Sequence, residues 1–318
     1  MSDYNVGEIV NEVLIGKDGE LYLASGNHLP LSYVTGERTI SEHAIEAFLE
    51  NIKARHLFAS TLGSRYIHMV APDKHTVMRK SFPFEAYETP GDIVFARDKT
   101  FIFPKAELIA LNEYKRSYQK YDSHWTIHGA LRAFEIMLQR FGFSRDEINA
   151  GLNDLGPAIV TKSMHAEGDL GRKLKNPPSE KLEALKVSFP ATLYSNGFAG
   201  NNGKLIGIVS QNPRARGRFL GFGNSFLLLF PNIFTYFFEQ TILCRTPFLH
   251  REVASAIKPD FILTEAVERY LPRTQSDSEA PSFIDMQLSA SQTLKFSAED
   301  AAFFGPSLVP ASEDEIKT

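Results

Sequence analysis

Asp122, His124 and Ser225 are the residues of this 318-residue chain whose types and settings suit nucleophilic chemistry. The first two stand in "YDSHWT" (Tyr121–Thr126), which also holds the single tryptophan, Trp125. In extended chain, positions i and i+2 point the same way. A carboxylate at Asp122 can then reach the far nitrogen of the His124 imidazole, fix its tautomer and stabilise the imidazolium. A histidine so held is a base in search of a nucleophile. Ser225 supplies one: in "GRFLGFGNSFLLLF" an apolar run ends in Gly-Asn-Ser and passes into a helical pattern. Strand, tight turn and helix would set the hydroxyl at the carboxyl end of a sheet strand, beside free backbone N–H groups. Each segment alone has a plainer reading, a polar turn with a packed aromatic for the first and a helix-capping serine for the second.

The elements that must position these groups are legible along the chain. "LIGKDGELYLASG" reads as a hairpin turning at Asp18-Gly19. Ser41–Leu62 has the apolar spacing of an amphipathic helix opened by a Ser41 cap, and "RYIHMVAP" after it reads as a buried strand halted by Pro72. Helix followed by strand is half of a doubly wound α/β unit. Ile127, Ala130, Leu131, Phe134 and Leu138 predict a helix starting beside the Asp-His pair. Asn149–Pro190 reads as polar and irregular. Then come strands at Lys204–Ser210 and Gly217–Gly223, a phenylalanine-rich helix, a helix around Phe248–Ile257 and the strand "DFILTEA". From about Arg273 onward Ser, Asp, Glu and Pro dominate, with peripheral strands expected in "FIDMQLSASQTLKF" and a loose tail in the last ten residues.

Composition narrows the classes of function. A net charge of −4 and a sequence pI of about 6.2 give no broad basic field for nucleic acid or anionic lipid. Cys244, the single cysteine, excludes an internal disulfide and a multi-cysteine zinc site. The most apolar stretch, Phe226–Phe238, is too short for a bilayer span, and the N-terminus lacks the basic start and apolar run of a signal peptide. The expectation is a soluble, cytoplasmic protein. His124 and His128 form H-x-x-x-H with Asp122 as a third ligand, a metal reading weakened by Trp125 where zinc proteases carry Glu. "GFGNS" lacks the full glycine patterns of nucleotide loops, so no cofactor is expected.

Across roughly Leu14–Pro272 the sequence resembles the SGNH-hydrolase-like domain of the alginate O-acetyltransferases, of AlgX/AlgJ type. The resemblance runs through "GKDGELYL", "YIHMVAPDKHTV", "YDSHWTIHGA", "GDLGRKL", "GFGNSF" and "KPDFILTEAVERYL". It implies a flavodoxin-like three-layer α/β sandwich with a mostly parallel sheet and a triad of Ser225, His124 and Asp122. It also implies that Arg245 and Tyr270 bind substrate, although from the residues alone Arg245 and Arg269 could equally pair with carboxylates and Tyr270 could be core. Residues 1–272 would form the acyltransferase domain and 273–318 a partly disordered extension. The implied activity is acetyl transfer to a carbohydrate hydroxyl through an acetyl-serine, with an acetyl donor, a glycan acceptor and partner proteins of a glycan-biosynthesis system. A carbohydrate acetylesterase with the same triad and a catalytically silent glycan-binding module are the alternatives. The chain departs from many of these relatives at Asn224, where they carry Asp, and in showing no export signal.

Overall fold

Continuous burial along four short parallel segments builds the part of the sheet on which the site stands. A computed structural model of the chain describes residues 4–186, 189–198, 200–289, 295 and 297–308. Strands β1 (Ile9–Val10), β2 (Val13–Ile15) and β3 (Leu21–Leu23) form an N-terminal antiparallel sheet. The β2–β3 turn carries Asp18 and Gly19 at φ of 56° and 72°, the left-handed region that Gly and Asp tolerate best. Strand β4 (Arg65–Ala71) belongs to the main sheet, and β5 (Ile159–Ala166) and β6 (Glu180–Leu185) pair as a separate hairpin. The remaining strands are β7 (Ala191–Ser195), β8 (Leu205–Ser210), β9 (Arg218–Gly223), β10 (Gln240–Arg245) and β11 (Phe261–Val267).

The main sheet has six strands in the order β4-β11-β9-β10-β8-β7. The first four are parallel, and β8 and β7 continue antiparallel. The chain leaves β9 for β10 on one side, then crosses to β11 on the other. The carboxyl end of β9 is thus a topological switch point, where open α/β sheets form a crevice.

Alternate residues feed two cores. Ile67, Met69, Phe219, Leu243, Phe261 and Leu263 meet the helix Ile127–Arg140 through Ala130, Phe134, Met137 and Leu138. Their sequence neighbours Leu220, Phe222, Ile242, Cys244 and Ile262 turn the other way, onto Val253, Ala254 and Ile257 of the helix Arg251–Ile257 and Ala59 of the helix Glu42–Thr61. Ser41 caps that last helix, accepting from the Ala44 N–H at 3.2 Å.

Four local expectations need correction. The phenylalanine-rich helix is a single α turn, Ser225–Leu228, followed by the 3₁₀ segment Pro231–Tyr236. Pro231 lacks an N–H and its ring blocks the turn before it, so the α-helix cannot continue. Asn149–Pro190 holds the end of the helix Arg145–Leu155 and the β5–β6 hairpin, whose strands are largely exposed and so carry little apolar signal. Strand β7 is largely exposed and so lacks an apolar run, and β10 directly follows the phenylalanine-rich segment, whose pattern masks it. Phe283–Ser289 is helical where strands were expected. Phe283 and Phe304 are buried in the core beside Phe222, and the tail 309–318 lies outside the described residues. No described helix is long and apolar enough to cross a membrane.

Candidate functional site

The loop before the helix Ile127–Arg140 brings the Asp-His pair to the end of β9. Thr126 caps that helix, accepting from Gly129 N–H at 3.2 Å, and the chain just before it is pinned by a Tyr118–Trp125 bridge. His124 Nε2 lies 2.7 Å from Ser225 Oγ, and His124 Nδ1 lies 2.6 Å from Asp122 Oδ1. Asp122 Oδ1 also accepts the His124 backbone N–H at 2.9 Å, and Oδ2 accepts the Asp169 N–H at 2.8 Å. Burial alone would raise the Asp122 pKa. The hydrogen bond and charge of His124, with two backbone N–H groups, outweigh it and hold the carboxyl well below the usual carboxylate range. An ionised carboxylate only accepts, so Nδ1 of His124 carries a proton. In the neutral ring Nε2 is then the acceptor that faces the serine hydroxyl.

Several groups hold this geometry that the sequence reading did not single out. Asp169, in the one-turn helix Gly168–Gly171, accepts from Ser123 N–H at 2.7 Å and Ser123 Oγ at 2.5 Å. Gly168 makes the approach possible: its φ is +72°, and a Cβ there would sit 2.2 Å from the Tyr121 carbonyl oxygen. Lys74, 2 % exposed, reaches from the end of β4 to the carbonyls of Gln119, Lys120 and Asp122 at 2.6, 2.8 and 3.1 Å. Its charge is met by Glu20 at 2.8 Å, itself also held by Arg116. The Phe226 ring packs 4.8 Å from His124 and edge-on to Trp125 at 5.0 Å.

The serine turn rests on a buried carboxyl. Glu265 of β11 accepts from the Asn224 N–H at 3.0 Å and from Asn224 Nδ2 at 3.2 Å. Burial pushes its pKa up from 4.5 to about 7. Asn224 in turn caps the single helical turn, accepting from Phe226 N–H at 2.9 Å. Gly223 is required here, since a Cβ would meet Glu265 Oε2 at 2.8 Å and Leu227 at 2.9 Å. Two of the three N–H groups at the turn are therefore committed to Glu265 and Asn224. A one-turn helix also has little macrodipole, so the charge support expected from a long helix is absent.

Solved structures with this arrangement of elements include the O-acetyltransferase domain of Pseudomonas putida AlgJ. It is 15 % identical, with a TM-score of 0.53, and the match covers 88 % of this chain and 99 % of that one. The chain has the fold of the AlgJ O-acetyltransferase domain. A DHHW family protein from Eubacterium siraeum matches at 14 % identity and a TM-score of 0.51, over 85 % of this chain and 97 % of that one. Bacillus cereus PatB1 with a sulfonyl adduct matches at 13 % and 0.54, over 78 % and 93 %. No protein-family model and no curated protein matches the chain.

Beside the serine turn, a cavity of about 430 Å³ opens between the sheet and the helix Glu42–Thr61. Arg245 and Tyr270 line it together with Gly223 and Asn224, and Arg245 stands beside Gly223 in the β9–β10 pairing. Tyr270 is half-buried against His28, ring centroids 4.3 Å apart. Arg269 instead is buried, paired with Asp73, and lies over the Phe226 ring at 5.6 Å. Cys244 is buried, and burial pushes its thiol pKa up, which suits packing and not nucleophilic attack.

Among the described residues one trio, Asp122, His124 and Asp169, offers metal-ligand atoms within 4.8 Å of one another. Both oxygens of each carboxylate and both ring nitrogens already have hydrogen-bond partners. His128 is not part of it: its Nε2 meets Glu183 Oε2 on β6 at 2.8 Å.

Proposed function

We propose that this chain is a serine-dependent O-acetyltransferase acting on a carbohydrate hydroxyl, on a flavodoxin-like three-layer α/β sandwich of SGNH type. The observation that carries the reading is the unbroken chain of hydrogen bonds from Ser225 through His124 to Asp122, at the switch point of a sheet with the AlgJ domain's fold. Ser225 Oγ attacks the acetyl carbonyl of the donor while His124 Nε2 takes its proton. Asp122 stays ionised, keeps the proton of Nδ1 in place and stabilises the imidazolium. The Ser225 N–H, with Arg245 at the cavity edge, stabilises the oxyanion of the tetrahedral intermediate. His124 then gives its proton to the leaving group. In the second half a sugar hydroxyl attacks the acetyl-serine with His124 as base again, and Tyr270 offers the ring face against which a sugar packs.

The test is intact-protein mass spectrometry after exposure to an activated acetyl ester, with and without saccharide acceptors. The parent should carry one acetyl group that saccharides discharge, and Ser225→Ala should carry none while keeping its unfolding temperature. Equal labelling of Ser225→Ala would refute the serine mechanism. Discharge by water at the same rate with or without every saccharide tried would make the protein an esterase.

A further inference from the structure

The cavity beside Asn224 is far larger than an acetyl group needs. At roughly 30 Å³ per water-sized unit, an acetyl fills about two such units, whereas the cavity measures about 430 Å³. What its lining offers is a set of donors without partners. His68 is 3 % exposed and lines the cavity, and its Nε2 has no hydrogen-bond partner.

The hydrogen-bond chain behind it fixes what that nitrogen is. Tyr66 Oη has one hydrogen-bond partner among the described residues, Thr264. Tyr66 Oη lies 2.7 Å from Thr264 Oγ1, which lies 2.7 Å from His68 Nδ1. The polarity that uses both hydroxyl hydrogens runs from Tyr66 to Thr264 to Nδ1. Burial keeps the ring neutral, so its one proton is on Nε2. The cavity wall therefore holds a buried N–H without a partner. Arg245 and Arg273 also line it, and neither guanidinium has an ion pair or side-chain hydrogen bond among the described residues. Arg55 is neutralised by Asp277 at 2.6 Å, and Glu265 is occupied by Asn224.

Two unpaired positive charges and a third N–H call for a ligand that only accepts. A sugar hydroxyl would bring hydrogens of its own. A carboxylate has two oxygens and one charge. A phosphoryl group has three terminal oxygens and carries about −1.5 to −2 near neutral pH, which matches both the donor groups and the charge.

We propose that this cavity binds a phosphoryl group, which on the acyl-transfer reading, on which this role rests, belongs to the leaving group of the acyl donor. In that step the Ser225 Oγ–acyl bond forms as the bond from the acyl carbon to the phosphoryl-bearing group breaks. That group departs with the electron pair and takes up the serine proton by way of His124.

The test is calorimetry with inorganic pyrophosphate on the Ser225→Ala protein, which takes turnover out of the measurement. One molecule should bind per chain, and Arg245→Gln or His68→Phe should weaken it by about tenfold or more, the loss of one charge-assisted or buried hydrogen bond. His68→Gln, which keeps an N–H, should restore part of the affinity. Absence of binding, affinity unchanged in both Arg245→Gln and His68→Phe, or equally tight binding of glucuronate or a neutral disaccharide would overturn the proposal. A parent that forms the acetyl-serine while Ser225→Ala ignores pyrophosphate refutes the cavity's role alone. A parent that never labels while Ser225→Ala binds pyrophosphate keeps the phosphoryl site and refutes the acyl-transfer reading.

Discussion

Replacing Lys74 with methionine tests whether the Asp-His loop is held from beneath. Lys74 and Glu20 are each 2 % exposed, and Lys74 adds three bonds to the carbonyls of Gln119, Lys120 and Asp122. Removing one partner of a buried pair commonly costs roughly 3–5 kcal/mol, because the other charge is stranded. Here Arg116 still holds Glu20 with two contacts at 2.9 Å, so that part is softened. The loss comes mainly from three bonds at roughly 1 kcal/mol each, with the Gln119 and Asp122 carbonyls left without a donor and the Lys120 carbonyl keeping only the Leu21 N–H. A sum of about 3 kcal/mol should lower the unfolding temperature by about 4–5 °C in a chain of this size. A stabilising lysine could do that anywhere in the molecule, so a second readout is needed. Freed carbonyls let the loop shift, and a misplacement of about 1 Å at reacting groups costs on the order of 10²-fold in rate. Turnover of an activated acetyl ester should therefore fall in kcat by about that factor, with KM changed much less. Lys74→Met and Glu20→Gln should also combine non-additively, since they share a bond. A Lys74→Met protein that melts within about 1 °C of the parent and keeps kcat within about twofold would refute the reasoning.

Asp122→Asn keeps the shape of the site but favours the wrong imidazole tautomer, and ester turnover should fall by roughly 10⁴-fold with the fold intact. Gly168→Ala places a Cβ 2.2 Å from the Tyr121 carbonyl at a φ of +72°, so thermal unfolding should report a loss of about 1–3 kcal/mol. Glu265 and Glu268 both have pKa values raised from 4.5 to about 7, by burial first of all. A raised pKa means that the stability is complete below pH 4.5 and is lost as pH rises through 7, by on the order of 3 kcal/mol per group. The unfolding temperature should therefore decline between pH 5 and 8, and Glu265→Gln should flatten that decline; an unchanged slope would show that Glu265 does not titrate there.

What the sequence made legible was set by how strongly each segment's pattern outweighed its surroundings. The helix Glu42–Thr61 announced itself through a capping serine and regular apolar spacing, and β4, β9 and β11 through continuous apolar runs. β10 is as long as β9 and nearly as well buried, yet "QTILCR" sits between a phenylalanine-rich run and a helix and merges with their pattern. The helix after Ser225 was overread, because its phenylalanines fall at helical spacing while Pro231 alone decides where the α turn stops.

The same distinction separates the two halves of the site. On the proposed function Asp122, His124 and Ser225 would act through side-chain chemistry that their residue types advertise, and the structure sets them 2.6 and 2.7 Å apart. Asp169, Lys74 and Glu265 act on backbone groups: the N–H of Ser123, three loop carbonyls, the N–H of Asn224. Backbone groups are the same at every residue, so no spacing in the sequence could name their partners. The pairs are also distant along the chain, 46 positions for Asp169 with Ser123 and 41 for Glu265 with Asn224. The sheet order explains two of the three supports, Glu265 and Lys74. β11 lies beside β9, so Glu265 sits under the serine turn, and the loop after β4 runs beside the Asp-His loop, within reach of Lys74. A substitution at these supports should therefore disturb the spacing of the three reacting groups without altering any of them. That predicts variants with normal residue chemistry and slow turnover, which a search of the sequence for reactive residues would pass over.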